Sequence, residues 1–197
     1  MKKLFIALVI LFMGVQLNAQ KITQQSGNLS ALKGVTSIDL KFVYPEGMHV
    51  GKMTQQDYME KHMKEAEAKQ AGGGEKWKQM YFDDREQHFA PKFTDLFNSG
   101  LKKIGMDARE NNEEAKIQLI VKTTFMEPGF NIGIQSRPAF INLELTFINK
   151  ETNEEIAKFI LKKAPGTAYY DFGVRVGEAY AKAAKSFAKF LYKKKVF

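Results

Sequence analysis

The chain has 197 residues, 44% of them hydrophobic, with 30 Lys and Arg against 22 Asp and Glu and a formal charge of +8. It contains no cysteine, which excludes disulfides, thiolate nucleophiles and Cys-ligated metal sites. The length is that of one domain, long enough to bury a proper core.

Residues 1–19 have the three parts of a secretion signal. Lys2 and Lys3 give the basic start, Leu4 to Val15 form an apolar run, and Ala19 stands before the expected cut at Gln20. The run is too short to cross a bilayer core of about 30 Å as a stable helix. No cysteine follows it to carry acyl chains, so the expected product is an exported protein, periplasmic or extracellular, soluble and without a transmembrane segment. Removing Lys2 and Lys3 lowers the charge from +8 to +6. The remaining excess sits largely in the last forty residues, through Lys158, Lys162, Lys163, Arg175, Lys182, Lys185, Lys189 and Lys193 to Lys195, either as a solvated helix face or in weak contact with anionic surfaces. Nucleic acid is not an expected partner after export.

Residues 20–34, polar with Gly27 and Gly34, read as a lead-in segment. Ile38, Leu40, Phe42 and Tyr44 then alternate with other residues in a first strand that ends at Pro45. An insertion follows at 45–83. In it Thr54 with Asp57 resembles an N-cap, opening a charged helix to about Lys69 whose apolar residues are too few for deep burial. The run Gly72-Gly73-Gly74 lacks phosphate-loop spacing and reads as a joint. A second helix is predicted from Asp84 to Ile104, with Phe89, Phe93, Leu96, Phe97 and Leu101 as a buried stripe and Pro91 in its first turn.

A turn over 109–114 leads to a second strand with Ile117, Leu119, Val121, Thr123 and Phe125 on one face. The third strand buries Ala139, Ile141, Leu143, Leu145 and Phe147, and a turn at 149–153 opens the fourth, Glu155 to Lys163. The last helix spans Gly173 to Lys195, with Asp171 as its N-cap. The expected fold is α/β, in the two-layer α+β sense. It is a four-stranded mixed sheet in the order β-α-β-β-β-α, covered by two main helices, with strand one parallel to strand two and strands two to four antiparallel.

Several stretches resemble the amino-terminal domain of TolB and the CsgG-like exported bacterial proteins. They are Leu-Lys-Lys-Ile-Gly at 101–105, Ala-Lys-Ile-Gln-Leu-Ile-Val at 115–121, Glu-Pro-Gly at 127–129 and the hairpin turning at 149–153. The resemblance implies envelope biology and an accessory, non-enzymatic role in assembly or transport.

The topology brings the carboxyl ends of strands one, two and four to one edge of the sheet, where loops gather side chains for binding. The candidate residues there are Phe130, Ile132, Ile134, Arg137, Tyr169, Tyr170 and Arg175, forming a hydrophobic groove with Arg137 and Arg175 as polar anchors. The expected partner is an envelope protein or another envelope component. The alternative is that the insertion folds down, with Trp77, Tyr81 and Phe82, and buries the aromatics. His49, His62 and His88 show no metal-ligand spacing, and no serine elbow is present, so no catalytic, cofactor or metal residue is assigned. Two other functions stay open: a module binding a small ligand or lipid at the same edge, and a hydrolase built around His49 and nearby carboxylates.

Overall fold

The structure, a computed structural model, describes residues 20–195; the expected signal peptide lies outside the described residues. Four strands follow the expected pattern. They are β2 (Ser37–Val43), β6 (Ile117–Glu127), β9 (Phe140–Asn149) and β10 (Glu155–Pro165). β2 runs parallel to β6, while β6, β9 and β10 are antiparallel neighbours. Leu119, Val121, Ile141, Leu143, Leu145, Phe147, Phe159 and Leu161 are all fully buried on one face. The period of two therefore fixes the register, because a slip of one residue would turn this whole set to the outside.

The sheet nevertheless has eight strands, not four. The lead-in forms strand β1 (Lys21–Gly27), paired antiparallel with β10. Its sequence is polar because it lies at an edge, and only Ile22 packs on the core. The predicted turn after the second helix begins instead with β5 (Asp107–Glu110), parallel to β2 at the opposite edge. Of its four residues only Ala108 is buried, too little for an alternating pattern. The insertion supplies β3 (His49–Val50) and β4 (Met53–Thr54), and β3 continues along β6 past the end of β2. A separate hairpin joins β7 (Phe130–Asn131) to β8 (Ser136–Arg137). The core of the sheet reads β1-β10-β9-β6-β2-β5.

One inward assignment is corrected. A bulge between Thr123 and Phe125 shifts the register of β6, so Met126 enters the core and Phe125 stacks on Phe140 instead, with ring centres 5.5 Å apart.

The insertion holds two helices rather than one. Thr54 caps α1 (Gln55–Lys69), its hydroxyl accepting from the Asp57 amide at 3.1 Å. α2 (Gly73–Asp84) follows after a tight turn. Glycine is required there because a Cβ on Gly73 would stand 2.5 Å from the Ala66 carbonyl, and Glu67 closes the turn by accepting from the amides of Gly72 and Gly74 at 3.0 Å.

α2 continues through a π-helical turn, Arg85–Phe89, into α3 (Ala90–Leu101). The wide turn falls just before Pro91, which has no amide to donate, and the Ala90 amide bonds to the Arg85 carbonyl five residues back. α4 (Phe172–Lys193) is capped by Asp171, whose carboxylate accepts from the Val174 amide at 2.8 Å. α3 and α4 pack together on the buried face. Phe187 stacks on Phe97 and Phe147, and each such buried ring contributes roughly 1.5–3 kcal/mol.

Candidate functional site

β2, β5, β6 and β10 all end at one edge of the sheet, and two flanks of that edge are built differently. At the first flank, the segment after β6 turns back as the β7–β8 hairpin and the segment after β10 folds against it. The Ala139 amide donates to the Thr167 carbonyl at 2.9 Å and the Gly166 amide to the Ala139 carbonyl at 2.7 Å. Asn131 crosses the gap, its side-chain amide donating to the Ala168 carbonyl at 2.6 Å and its oxygen accepting from the Gly133 amide at 2.9 Å. Gly166 fits because a Cβ there would stand 2.4 Å from the Arg175 carbonyl.

Arg175 lies beneath these loops, on the first turns of α4, and is 7% exposed. Its guanidinium donates to the carbonyls of Pro128 at 2.7 Å, Tyr169 at 2.5 Å and Tyr170 at 2.9 Å. Burial lowers its pKa, opposed by the nearby Tyr58 and Asp171. Arg175, expected as a polar anchor, is buried: its donors hold two segments of backbone, at Pro128 and at Tyr169–Tyr170.

The other candidates stand above it in the open. Ile134 is 92% exposed, Tyr170 72%, Ile132 63%, Tyr169 59% and Phe130 39%. Arg137 is exposed beside them and pairs with Glu127 at 3.5 Å. Tyr170 reaches across to the hairpin tip, where its hydroxyl lies 3.6 Å from the point a Cβ on Gly133 would occupy. Asn131, Thr167, Ala168, Tyr169 and Tyr170 line an open groove of about 470 Å³ between hairpin and loop. Six of the seven predicted residues are thus brought together at the surface, with the seventh under them.

The insertion does not cover this tip. Its own aromatics form a separate stack: His62, Trp77 and Tyr81 lie face to face, with centres 5.1 and 5.4 Å apart, and Tyr81 stacks on Phe172 at 5.6 Å. Trp77, Tyr81 and Phe82 are accounted for there.

At the second flank, the π turn meets the ends of β2 and β5. Arg85 lies with its guanidinium carbon 4.4 Å from the Tyr44 ring centre and 4.6 Å from that of Phe82, and donates to the Gln55 side chain at 2.9 Å. Phe42, Tyr44, Phe82, Arg85, Glu86 and Glu110 line a cleft of about 600 Å³. Burial pushes the Tyr44 hydroxyl well above its ordinary pKa, so it stays a neutral phenol. The Glu110 carboxyl is raised by burial and then by the charges of Glu86 and Asp39.

No protein-family model matches this chain, and no curated protein does. Among solved structures, the chain is similar to a PelC dodecamer from Paraburkholderia phytofirmans, at 10% identity over 84% of this chain and 96% of that one, with a TM-score of 0.41. It is also similar to a DUF330 protein from Xanthomonas campestris, at 10% identity over 82% and 84% of the two chains, with a TM-score of 0.36. The resemblance to TolB and CsgG-like proteins is corrected by these findings, which return PelC and DUF330 structures instead. The motifs that prompted it follow from strand and hairpin geometry that many mixed α/β proteins share.

The histidines are placed differently from what their spacing suggested. His49 lies in the short strand β3 and is exposed. His88 pairs with Asp84, at 2.8 Å, and Asp171 brings a third potential ligand atom within 4.8 Å of both. The Asp84–His88 spacing of four was visible in the sequence; the approach of Asp171 was not. Among the described residues no helix is long and apolar enough to cross a membrane.

Proposed function

We propose that this chain is an exported, non-catalytic binding protein of the bacterial cell envelope that holds a protein partner on the β7–β8 hairpin and the neighbouring 167–170 loop. One observation carries the reading. Among the described residues seven large hydrophobic side chains are exposed, and five of them, Phe130, Ile132, Ile134, Tyr169 and Tyr170, gather at this single tip. An isolated exposed apolar residue is ordinary, whereas a contiguous patch on a rigidly braced support marks an interaction surface. The shape favours a protein over a small ligand. The groove is open and shallow, while small-molecule sites enclose most of their ligand. Ile134 projects from a hairpin braced by backbone hydrogen bonds, as an anchor that fills a recess on a partner does. The leader-like residues 1–19 support export.

The test is photo-crosslinking in intact cells of the native host, using the full chain with a photoreactive residue at Ile134, Tyr170 or, as a control, Lys185. A discrete protein adduct at Ile134 and Tyr170, absent at Lys185, is the expected outcome. Equal adducts at all three positions, or lipid adducts alone, would overturn the reading.

A further inference from the structure

The cleft at the second flank holds charges that have no ion-pair partner among the described residues. Among the described residues Arg85 makes no ion pair, whereas Arg109 and Arg137 pair with glutamates and Arg175 is enclosed by carbonyls. Its hydrogen bonds go to neutral groups, the side chains of Gln55 and Tyr81, and its guanidinium lies over the rings of Tyr44 and Phe82. A planar guanidinium over aromatic rings, without an ion-pair partner, is suited to receive a carboxylate through paired N–H bonds.

The same cleft carries the opposite charge elsewhere. Glu86 and Glu110 line it, and among the described residues neither makes an ion pair or a side-chain hydrogen bond. The Glu86 charge adds to burial in raising the cost of ionising Glu110, a repulsion that a cation beside them would relieve. Arg85 belongs to the same lining. Phe42 and Ala90 add apolar surface to the lining. The volume, about 600 Å³, is that of a small-molecule site. The cleft also lies outside the carboxyl ends of the parallel strands β2 and β5, where open α/β sheets commonly bind ligands.

We propose that this cleft binds a small zwitterion of the amino-acid class, its carboxylate on Arg85, its ammonium between Glu86 and Glu110, and its aliphatic body against Phe42 and Ala90. The site is distinct from the hairpin tip and does not depend on the function proposed above. An anion alone would meet the two glutamates, and an amine alone would leave the Arg85 fork open; only a ligand with both charges answers the whole lining.

The experiment is titration calorimetry of the purified exported chain with glycine, 4-aminobutyrate and 6-aminohexanoate, alongside hexylamine and hexanoate. The graded lengths find the span between the two ends. At least one zwitterion is expected to bind ten-fold or more tightly than both hexylamine and hexanoate. Arg85→Lys, which keeps the charge and removes the fork, should weaken that zwitterion at least ten-fold. Glu86→Gln combined with Glu110→Gln should abolish the preference for the zwitterion over hexanoate. Ile134→Ser, at the other flank, should leave the affinity unchanged. If the charge variants fail to fold, the ligand series on the unaltered chain decides alone. Saturation by none of the zwitterions, or equal binding of hexylamine or hexanoate, would overturn the proposal.

Discussion

At one flank of the carboxyl edge Arg175 gives its guanidinium to the carbonyls of Pro128, Tyr169 and Tyr170; at the other Arg85 lies over the rings of Tyr44 and Phe82 and meets only neutral side-chain oxygens, of Gln55 and Tyr81. The same residue type thus serves as a brace in one place and stands ready for a ligand in the other. The difference follows from what surrounds each. Loop backbone has carbonyls without strand or helix partners, and a buried arginine can satisfy several of them at once. The π turn, by contrast, presents Arg85 to aromatic faces, which attract its charge and accept no hydrogen bonds in the ring plane. The first flank can therefore carry exposed apolar side chains on a rigid base. The second carries charge without an ion-pair partner, beside apolar surface.

The sharpest way to break this comparison is to remove each arginine. Arg175→Met leaves carbonyls on two segments without their buried donor and should cost about 3–5 kcal/mol. Arg85→Met loses stacking and hydrogen bonds to neutral groups, a loss of about 1 kcal/mol. Urea denaturation measures both, and equal midpoint shifts would show that the two residues do the same work. Between these lies Gly166→Ala. Its Cβ would stand 2.4 Å from the Arg175 carbonyl, so the loop must move away from its brace. The expected cost is about 1–3 kcal/mol, as for other overpacked sites. Ile134→Ser at the exposed tip should change stability by no more than about 0.5 kcal/mol while removing the crosslink to the partner. A large loss of stability there would mean that the tip is a small core of its own.

How far the sequence discloses these flanks depends on burial. β2, β6, β9 and β10 are legible because each pairs a buried apolar face with a more polar one. β1 and β5 are not, since edge strands with one packed residue apiece leave no alternation to read. The hairpin tip is legible for the opposite reason: Ile132 and Ile134 are apolar in a loop with Gly133 between them, where nothing in the local pattern calls for burial. The second flank combines residues from positions 42, 85 and 110, each ordinary in its own stretch, and the chain shows no local sign that they meet. The π turn hides them further, because it moves Arg85 and Glu86 off the faces that a regular helix of 3.6 residues per turn would give them. Arg175 shows how a type-based guess misleads. An arginine near a loop cluster looks like an anchor, and only the count of nearby carbonyls reveals it as a brace.

The smallest effect concerns the insertion that stands beside the second flank. α1 and α2 share little apolar surface, and α1 buries only Gln55, so the pair depends on the stack of His62, Trp77 and Tyr81. Burial lowers the pKa of His62 from its ordinary value, with Lys61 adding to the effect and Glu65, 3.1 Å away, opposing it. The folded stack thus prefers the neutral ring. A histidine with a depressed folded pKa contributes its stability in full above the unfolded value of about 6.5, and loses it as the pH falls below that value. Acidification from neutral pH should therefore loosen α1 from α2 while the main sheet stays intact. Trp77 is the single tryptophan of the chain, and its emission reports on its surroundings in the stack, His62, Tyr58 and Tyr81. The expected result is a reversible change in Trp77 emission with a midpoint below about 6.5, with no change in far-UV circular dichroism over the same range. His62→Phe keeps the ring and removes the titration, so the emission change should vanish. A midpoint above the ordinary histidine value would mean that Glu65 outweighs burial, and the stack would then tighten, not loosen, in acid.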